Sequence, residues 1–235
     1  MDRRMVLVGA VALAACETLD PAVIDSVLGG GAGQLSAGEV ALGLKAALDN
    51  GVGSALLGLG RVDGFLGDPQ VRIPLPKTLA DVQNVLAVAG ADGLLVELQQ
   101  QLNRGAEAAV PVAKNIFLDA VRGLTIQDAF AILRGPETAA TDYLRDRTAS
   151  SLTQAFLPIM QNALADTGAL RLVDDVERQL PFGGAGLTGD LKSDLVRHGV
   201  EFGLDGVFHY IGEEEAKIRR DPAARTSEIL RRVFG

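Results

Sequence analysis

The chain carries few residues equipped for chemistry, and their spacing narrows what they can do. It has one cysteine, Cys16, two histidines, His198 and His209, and no tryptophan in 235 residues. A zinc site takes three or four His, Cys or carboxylate ligands. Helical di-metal carboxylate sites need a Glu-x-x-His pair on each of two helices, and neither histidine has a glutamate three residues before it. Asp205 and His209 stand at i and i+4, so a helix would place them on one face, suited to a hydrogen bond or a weak metal contact. Surface or packing roles are expected of both histidines. No serine sits in a G-x-S-x-G elbow; Ser54, in "GVGSALL", reads as a small packing residue. "GAGLTG", Gly184 to Gly189, matches G-x-G-x-x-G, but a dinucleotide fingerprint needs a strand before it and a βαβ context. Here "LPF" precedes it, after a helix, so a plain loop is expected. These residues point to no catalytic group, no metal and no cofactor.

The polar residues that could line a cleft fall in three stretches. "RVDGFLGDPQVRIPLP", residues 61–76, interrupts a chain of helix formers with three prolines, two glycines and the arginines Arg61 and Arg72. "QQQLNRGAEAAVPVAKNIF", residues 99–117, sets Asn103, Arg104, Glu107 and Lys114 among small residues. Small residues allow close helix packing, whereas the polar ones could face a cleft. "GEEEAKIRR", residues 212–220, holds Glu213–Lys217 and Glu215–Arg219 at i,i+4, each pair contributing about 0.2–0.5 kcal/mol. It is either a solvated helix face, or Glu214 or Glu215 turns inward onto Arg61 or Arg72. The candidate ligand or partner cleft is therefore Arg61, Arg72, Asn103, Arg104, Glu107, Lys114, Glu214 and Glu215.

Helices must position these residues. Aromatics are sparse, so the core is built from Leu, Val, Ile and Ala, and abundant Ala and Leu favour helix. Ser36-Ala37-Gly38-Glu39 is a capping box, followed by apolar residues at helical spacing to about Leu59. Further helices are expected over Thr78–Ala89 and Asp92–Ala109. Pro111 either kinks the second of these or starts another, Val112–Arg122. Thr125 caps a short helix to Arg134, and Pro136 opens a longer one to about Ala165, bent at Pro158. Ala169–Leu180 follows, then the loop "PFGGAGLTG". Asp190–Arg220 is helical with a possible break at Gly199 or Gly203, and Pro222–Val233 closes the chain. Only Val71 to Leu75 alternates like a strand. Pro74 and Pro76 push Ile73 and Leu75 into extended geometry, which turns Val71, Ile73 and Leu75 one way and Arg72 the other. The expected fold is an all-α, single-domain orthogonal helical bundle over residues 36–235, with one ordered extended Pro-rich segment at about 61–76.

The N-terminus follows a different logic. "MDRRMVLVGAVALAAC" places Arg3 and Arg4 before an uncharged run that is too short to span a bilayer, which takes roughly 20 apolar residues. Its length and flanks suit a secretory signal over residues 1–15. It ends in Leu13-Ala14-Ala15-Cys16, similar to a bacterial lipobox, where the cysteine takes a diacylglyceryl group and becomes the new N-terminus. The twin arginines also suit twin-arginine export. Cleavage would remove Asp2, Arg3 and Arg4, leaving 20 basic and 29 acidic residues and a net charge of −9. A body this acidic does not seek nucleic acid or anionic head groups, so the membrane partner would be reached through the lipid on Cys16. Residues 16–35, with "GGGAG", form a flexible tether. Glu17 follows the cysteine rather than an aspartate that would retain it at the inner membrane, which favours the outer membrane, facing the periplasm.

"DGFLGDPQVRIPLP", "LNRGAEAAVPVAKNIF" and the terminal "IGEEEAKIRRDPAARTSEILRRVFG" together resemble the bacterial domain-of-unknown-function family 4197, from about Leu35 to Gly235. The "PFGGAG" insert departs most from that pattern. The resemblance implies a helical envelope domain, often behind a signal or lipobox, and supplies no activity, substrate or catalytic residue. The expected function is a non-enzymatic, membrane-tethered lipoprotein that binds or scaffolds an unknown protein. The alternatives are a carrier of a small apolar or amphipathic ligand between helices and, third, an enzyme with an unrecognised site.

Overall fold

The computed structural model describes residues 36–166, 168, 170–171, 173–175 and 191–220. The expected signal, tether, "PFGGAGLTG" loop and Pro222–Val233 helix lie outside them, and Ala169–Leu180 lies only partly within. Among the described residues the chain is all-α, with no strand. Its helices are α1 (Ala37–Leu59), α2 (Lys77–Val88), α3 (Gly93–Arg122), α4 (Ile126–Arg134), α5 (Ala139–Asp166) and α6 (Leu191–Arg220). The α3, α5 and α6 helices pack on one another and carry α1 against them, while α4 bridges α1 and α5. α2 touches little but α3 and buries only Leu79.

The local signals act as expected at two helix starts. Ser36 Oγ accepts from the Glu39 N–H while Glu39 reaches back to the Ser36 N–H. Thr125 and Asp128 make the same reciprocal pair at α4. Each satisfies donors that a helix N-terminus otherwise leaves unpaired. α1 is long and apolar enough to cross a bilayer, but over half of its most apolar window is buried in the bundle, as in a core helix. Lys45 Nζ donates to the Arg122 carbonyl at 2.8 Å and ties α1 to the end of α3.

Two expected helix breaks do not occur: no new helix starts at Pro111, and α6 does not divide at Gly199 or Gly203. Residues 93–122 form one helix that carries Pro111 inside it, not two helices. Pro111 leaves the Glu107 carbonyl without its helical donor. Its ring, though, lies on the exposed side while Val110, Ala113 and Phe117 are buried around it, so packing keeps the helix whole. Pro158, also exposed, sits within an unbroken α5 in the same way. α6 does not break at Gly199 or Gly203. A Cβ on Gly199 would meet Leu102 Cδ1 at 2.7 Å, and one on Gly203 would lie 3.5 Å from Ala106. Glycine here lets α6 lie close to α3. Finally, α5 begins at Ala139, and Pro136 sits in the turn before it, its carbonyl accepting from the Ala139 N–H.

The Pro-rich segment runs as turns through 61–71 and then extended to residue 76. Val71, Ile73 and Leu75 are buried and Arg72 and Pro74 are exposed, the alternation expected of it. Phe65 is fully buried beside them. The segment lies between α3 and α6, and its turn and the neighbouring ends of α1 and α6 form the candidate site.

Candidate functional site

The tight start of the segment depends on its glycines. A Cβ on Gly64 would stand 2.3 Å from the Leu59 carbonyl oxygen, and one on Gly67 would stand 2.8 Å from that of Asp63. Asp63 itself takes φ +65°, the left-handed region that Asp tolerates better than most residues. Its carboxylate accepts from Arg104 at 2.8 Å, which holds it there. Arg104 also donates to Glu107 Oε2 at 2.8 Å. Glu107, nearly fully buried, turns its other oxygen to the N–H groups of Phe65 and Leu66 at 3.1 and 3.3 Å. A buried carboxylate costs free energy unless charge and hydrogen bonds compensate it; here a guanidinium and two backbone donors do so.

Farther along, Asn103 is fully buried and serves the extended segment as a neighbouring strand would. Its Oδ1 accepts from the Ile73 N–H at 2.8 Å and its Nδ2 donates to the Ile73 carbonyl at 2.9 Å and to the Gln99 carbonyl at 2.8 Å. α6 grips the other side. His198 Nε2 stands 2.8 Å from the Pro74 carbonyl oxygen. A carbonyl only accepts, so Nε2 carries the proton. The ring lies against Phe202 at 4.3 Å. His209 Nε2 stands 3.0 Å from Gln70 Oε1, and the Tyr210 hydroxyl donates to Asp68. Asp68 also accepts from the Gln70 N–H at 2.9 Å. The Tyr210 hydrogen bond, then the Gln70 backbone, hold the Asp68 carboxyl below its ordinary range. The same bond and partial burial push the Tyr210 phenol up.

The expected cleft residues therefore divide. Asn103, Arg104 and Glu107 come together, but beneath the segment, with their hydrogen-bonding groups spent on holding it. Arg72 is exposed and donates to the Leu66 carbonyl at 2.7 Å. It meets neither Glu214 nor Glu215, and neither does Arg61. Lys114 is exposed on α3 and joins none of them. Glu215 does turn inward, but onto α5: it accepts from the N–H groups of Ala140 and Thr141 at 3.0 and 2.8 Å and from the Thr141 hydroxyl at 2.8 Å. Its cation is Arg219, as the i,i+4 spacing predicts, and Arg219 also donates to the Ile132 carbonyl. Lys217 pairs with Glu214 at 2.7 Å rather than with Glu213. Asp205 pairs with Arg145, not with His209.

What remains at the surface is a cleft of about 390 Å³ between the end of α1, the 61–69 turn and the end of α6. Ala55, Leu59 and Pro69 give it apolar walls, and Arg61, Asp68, Tyr210, Glu214 and Lys217 give it polar ones. Ser54 lines it as an exposed hydroxyl, correcting its reading as a packing residue. Asp63, Asp68, Glu214 and Lys217 already have partners. Arg61 has no hydrogen-bonded or ion-paired partner among the described residues. Tyr210, Asp68 and Lys217 were not among the expected site residues; the alternation of small and charged residues in 61–69 gave no sign that α6 would close over it. No group of three or more His, Cys, Asp or Glu placed to hold a metal occurs among the described residues.

A family model described as "Protein of unknown function (DUF4197)" matches residues 34–235. No curated protein matches. No solved structure matches.

Proposed function

Since the chain belongs to the DUF4197 family, to which no function is assigned, we propose a role from its own residues: a lipid-tethered envelope protein that binds or scaffolds a partner. Cys16, at the end of a short apolar run behind two arginines, is the anchor, and Glu17 directs the protein to the outer membrane with its folded body in the periplasm. The observation that carries the binding role is Arg61. Among the described residues it stands unpaired on a cleft whose other charges are engaged, between apolar walls. That combination suits an acidic group on an otherwise apolar partner or ligand. The buried polar residues around it are occupied in fixing the segment that carries Arg61, which gives the surface a rigid shape. The apolar crevice at Leu44, Leu48, Ile132 and Ile218 measures about 20 Å³, room for no more than a water molecule, so it does not favour an acyl-chain carrier.

Native mass spectrometry of the detergent-extracted protein tests both halves. The expected species starts at Cys16, carries a diacylglyceryl mass and holds a bound component that Arg61→Glu releases. A chain that keeps residues 1–15, or an unmodified Cys16, defeats the tether. A bound component indifferent to Arg61→Glu defeats the cleft.

A further inference from the structure

On the far side of α3 from this cleft, α5 presents Tyr143, Arg147 and Ser151 at i, i+4 and i+8, which places them in one row along the helix. The row borders a groove of about 380 Å³ against α3, floored by Ile116, Ala120 and Gly123. Its polar groups contrast with those under the Pro-rich segment, because they are not spent. Among the described residues Arg147 has no ion-paired or hydrogen-bonded partner, and neither the Tyr143 nor the Ser151 hydroxyl has a hydrogen bond. The Arg147 guanidinium lies over the Tyr143 ring, 5.4 Å from its centroid. That contact holds the cation at the ring without using its N–H groups. The nearby carboxylates make their hydrogen bonds and close ion pairs elsewhere, and Asp128 reaches Arg147 only as a charge at a distance. Asp119 pairs with Arg122 at 3.2 Å, and Asp128 accepts from the Thr125 N–H and hydroxyl at 2.9 and 2.7 Å. Thr148, at the back of the groove, donates to the Leu144 carbonyl and is closed off.

We propose that this groove binds a small organic carboxylate, with its two oxygens on the Arg147 fork, hydrogen bonds from the Tyr143 and Ser151 hydroxyls, and its apolar part against Ile116 and Ala120. A planar guanidinium matches a carboxylate with two parallel hydrogen bonds. The groove's volume falls in the range of small-molecule sites, roughly 300–1,000 Å³, and its floor is apolar. The inference is independent of the lipid tether and of the Arg61 cleft. Burial, then the nearby Asp128 charge, push the Tyr143 phenol above its ordinary value, so it enters the groove as a donor throughout the neutral range.

Benzoate is a suitable probe, since it has one carboxylate and one apolar ring. Saturation-transfer NMR on the full chain should give a saturable signal that Arg147→Ala weakens at least tenfold and Tyr143→Phe or Ser151→Ala weakens several-fold. Arg147→Lys, which keeps the charge and loses the fork, should fall between the wild type and Arg147→Ala. Arg61→Ala, in the other cleft, should leave the signal unchanged. Arg147 is exposed, so these variants should melt with the wild type, and a parallel melt verifies it. No saturation up to about 10 mM, corresponding to a binding free energy weaker than about 3 kcal/mol, overturns the proposal. So does equal binding by wild type and Arg147→Ala. Binding that Arg147→Lys fully retains also overturns it, because that is attraction to a charge and not recognition of a carboxylate.

Discussion

The side-chain amide of Asn103 pairs with the backbone of Ile73 on both sides, accepting its N–H at 2.8 Å and donating to its carbonyl at 2.9 Å. Both residues are fully buried. One side chain from a helix thus does for the extended segment what a neighbouring strand would do, and no strand is needed. An unmet buried donor or acceptor costs about 1–3 kcal/mol. Asn103→Leu strands the Ile73 N–H and leaves its carbonyl only the long hydrogen bond from Gln99 Nε2 at 3.4 Å, so a loss of about 1–3 kcal/mol is expected in urea unfolding. A variant that unfolds at the wild-type midpoint would show that water replaces the amide and that the segment is not sealed.

The same segment separates two neighbouring substitutions. Ile73 is buried, and Ile73→Asp sets a charge there with no cation beside it, so the fold should lose about 3–5 kcal/mol or fail to form. Arg72 is exposed and holds only the Leu66 carbonyl, so Arg72→Ala should cost about 1 kcal/mol or less. Chemical denaturation of the pair measures the contrast. If Arg72→Ala proved the more damaging, the segment would be doing its work at the surface.

Glycines of two kinds give opposite results. In α1, a Cβ on Gly53 meets nothing within 4 Å, and alanine in a helix is better than glycine by about 1 kcal/mol. Gly53→Ala should raise the melting temperature. In α6, a Cβ on Gly206 would lie 2.7 Å from a ring carbon of Phe65 and 3.2 Å from Val71 Cβ. Phe65 is fully buried, and its ring has nowhere to move. Gly206→Ala should destabilise by about 1–3 kcal/mol, the usual cost of overpacking. A thermal melt of each variant decides both, and a stable Gly206→Ala would mean that the segment rides loosely on α6.

Much of this frame was legible from neighbours in sequence. Ser36 with Glu39 and Thr125 with Asp128 announce their helices, because a cap is a relation across three residues. Val71, Ile73 and Leu75 announce a buried edge, because prolines 74 and 76 leave one geometry. What holds that edge was not legible. Asn103 lies 30 residues from Ile73, Glu107 42 from Phe65, and Glu215 75 from Ala140; local spacing carries no sign of such partners. The same residue types that suggest a cleft, a buried amide and a buried carboxylate, also suit the backbone of an irregular segment, which must be satisfied somewhere. Pro111, Gly199 and Gly203 misled for a related reason. Each disfavours an isolated helix, but packing across α3 and α6 outweighs the local cost.

Tyr210 and Asp68 make the pH dependence of the candidate cleft predictable in sign. Asp68 is held below its ordinary range in the folded protein, first by the Tyr210 hydroxyl and then by the Gln70 N–H. A depressed carboxyl contributes stability that is present above its unfolded value, about 3.9, and is lost as pH falls through the folded value. Tyr210 is raised, first by its bond to Asp68. A raised phenol contributes stability that is present below its unfolded value, about 10, and is lost as pH rises through the folded one. Tyr210→Phe removes the shared bond, the phenol's contribution and the larger part of the carboxyl's, leaving Asp68 the Gln70 N–H. The wild type should therefore exceed Tyr210→Phe in stability across a plateau from about pH 4 to about pH 10, with the gap narrowing on either side. Urea midpoints of the two proteins, taken from pH 3 to pH 11 in steps of about one unit, measure it. A gap of constant size down to the acid end would mean that Tyr210 contributes packing alone, and that the turn carrying Arg61 is not fastened to α6 by this bond.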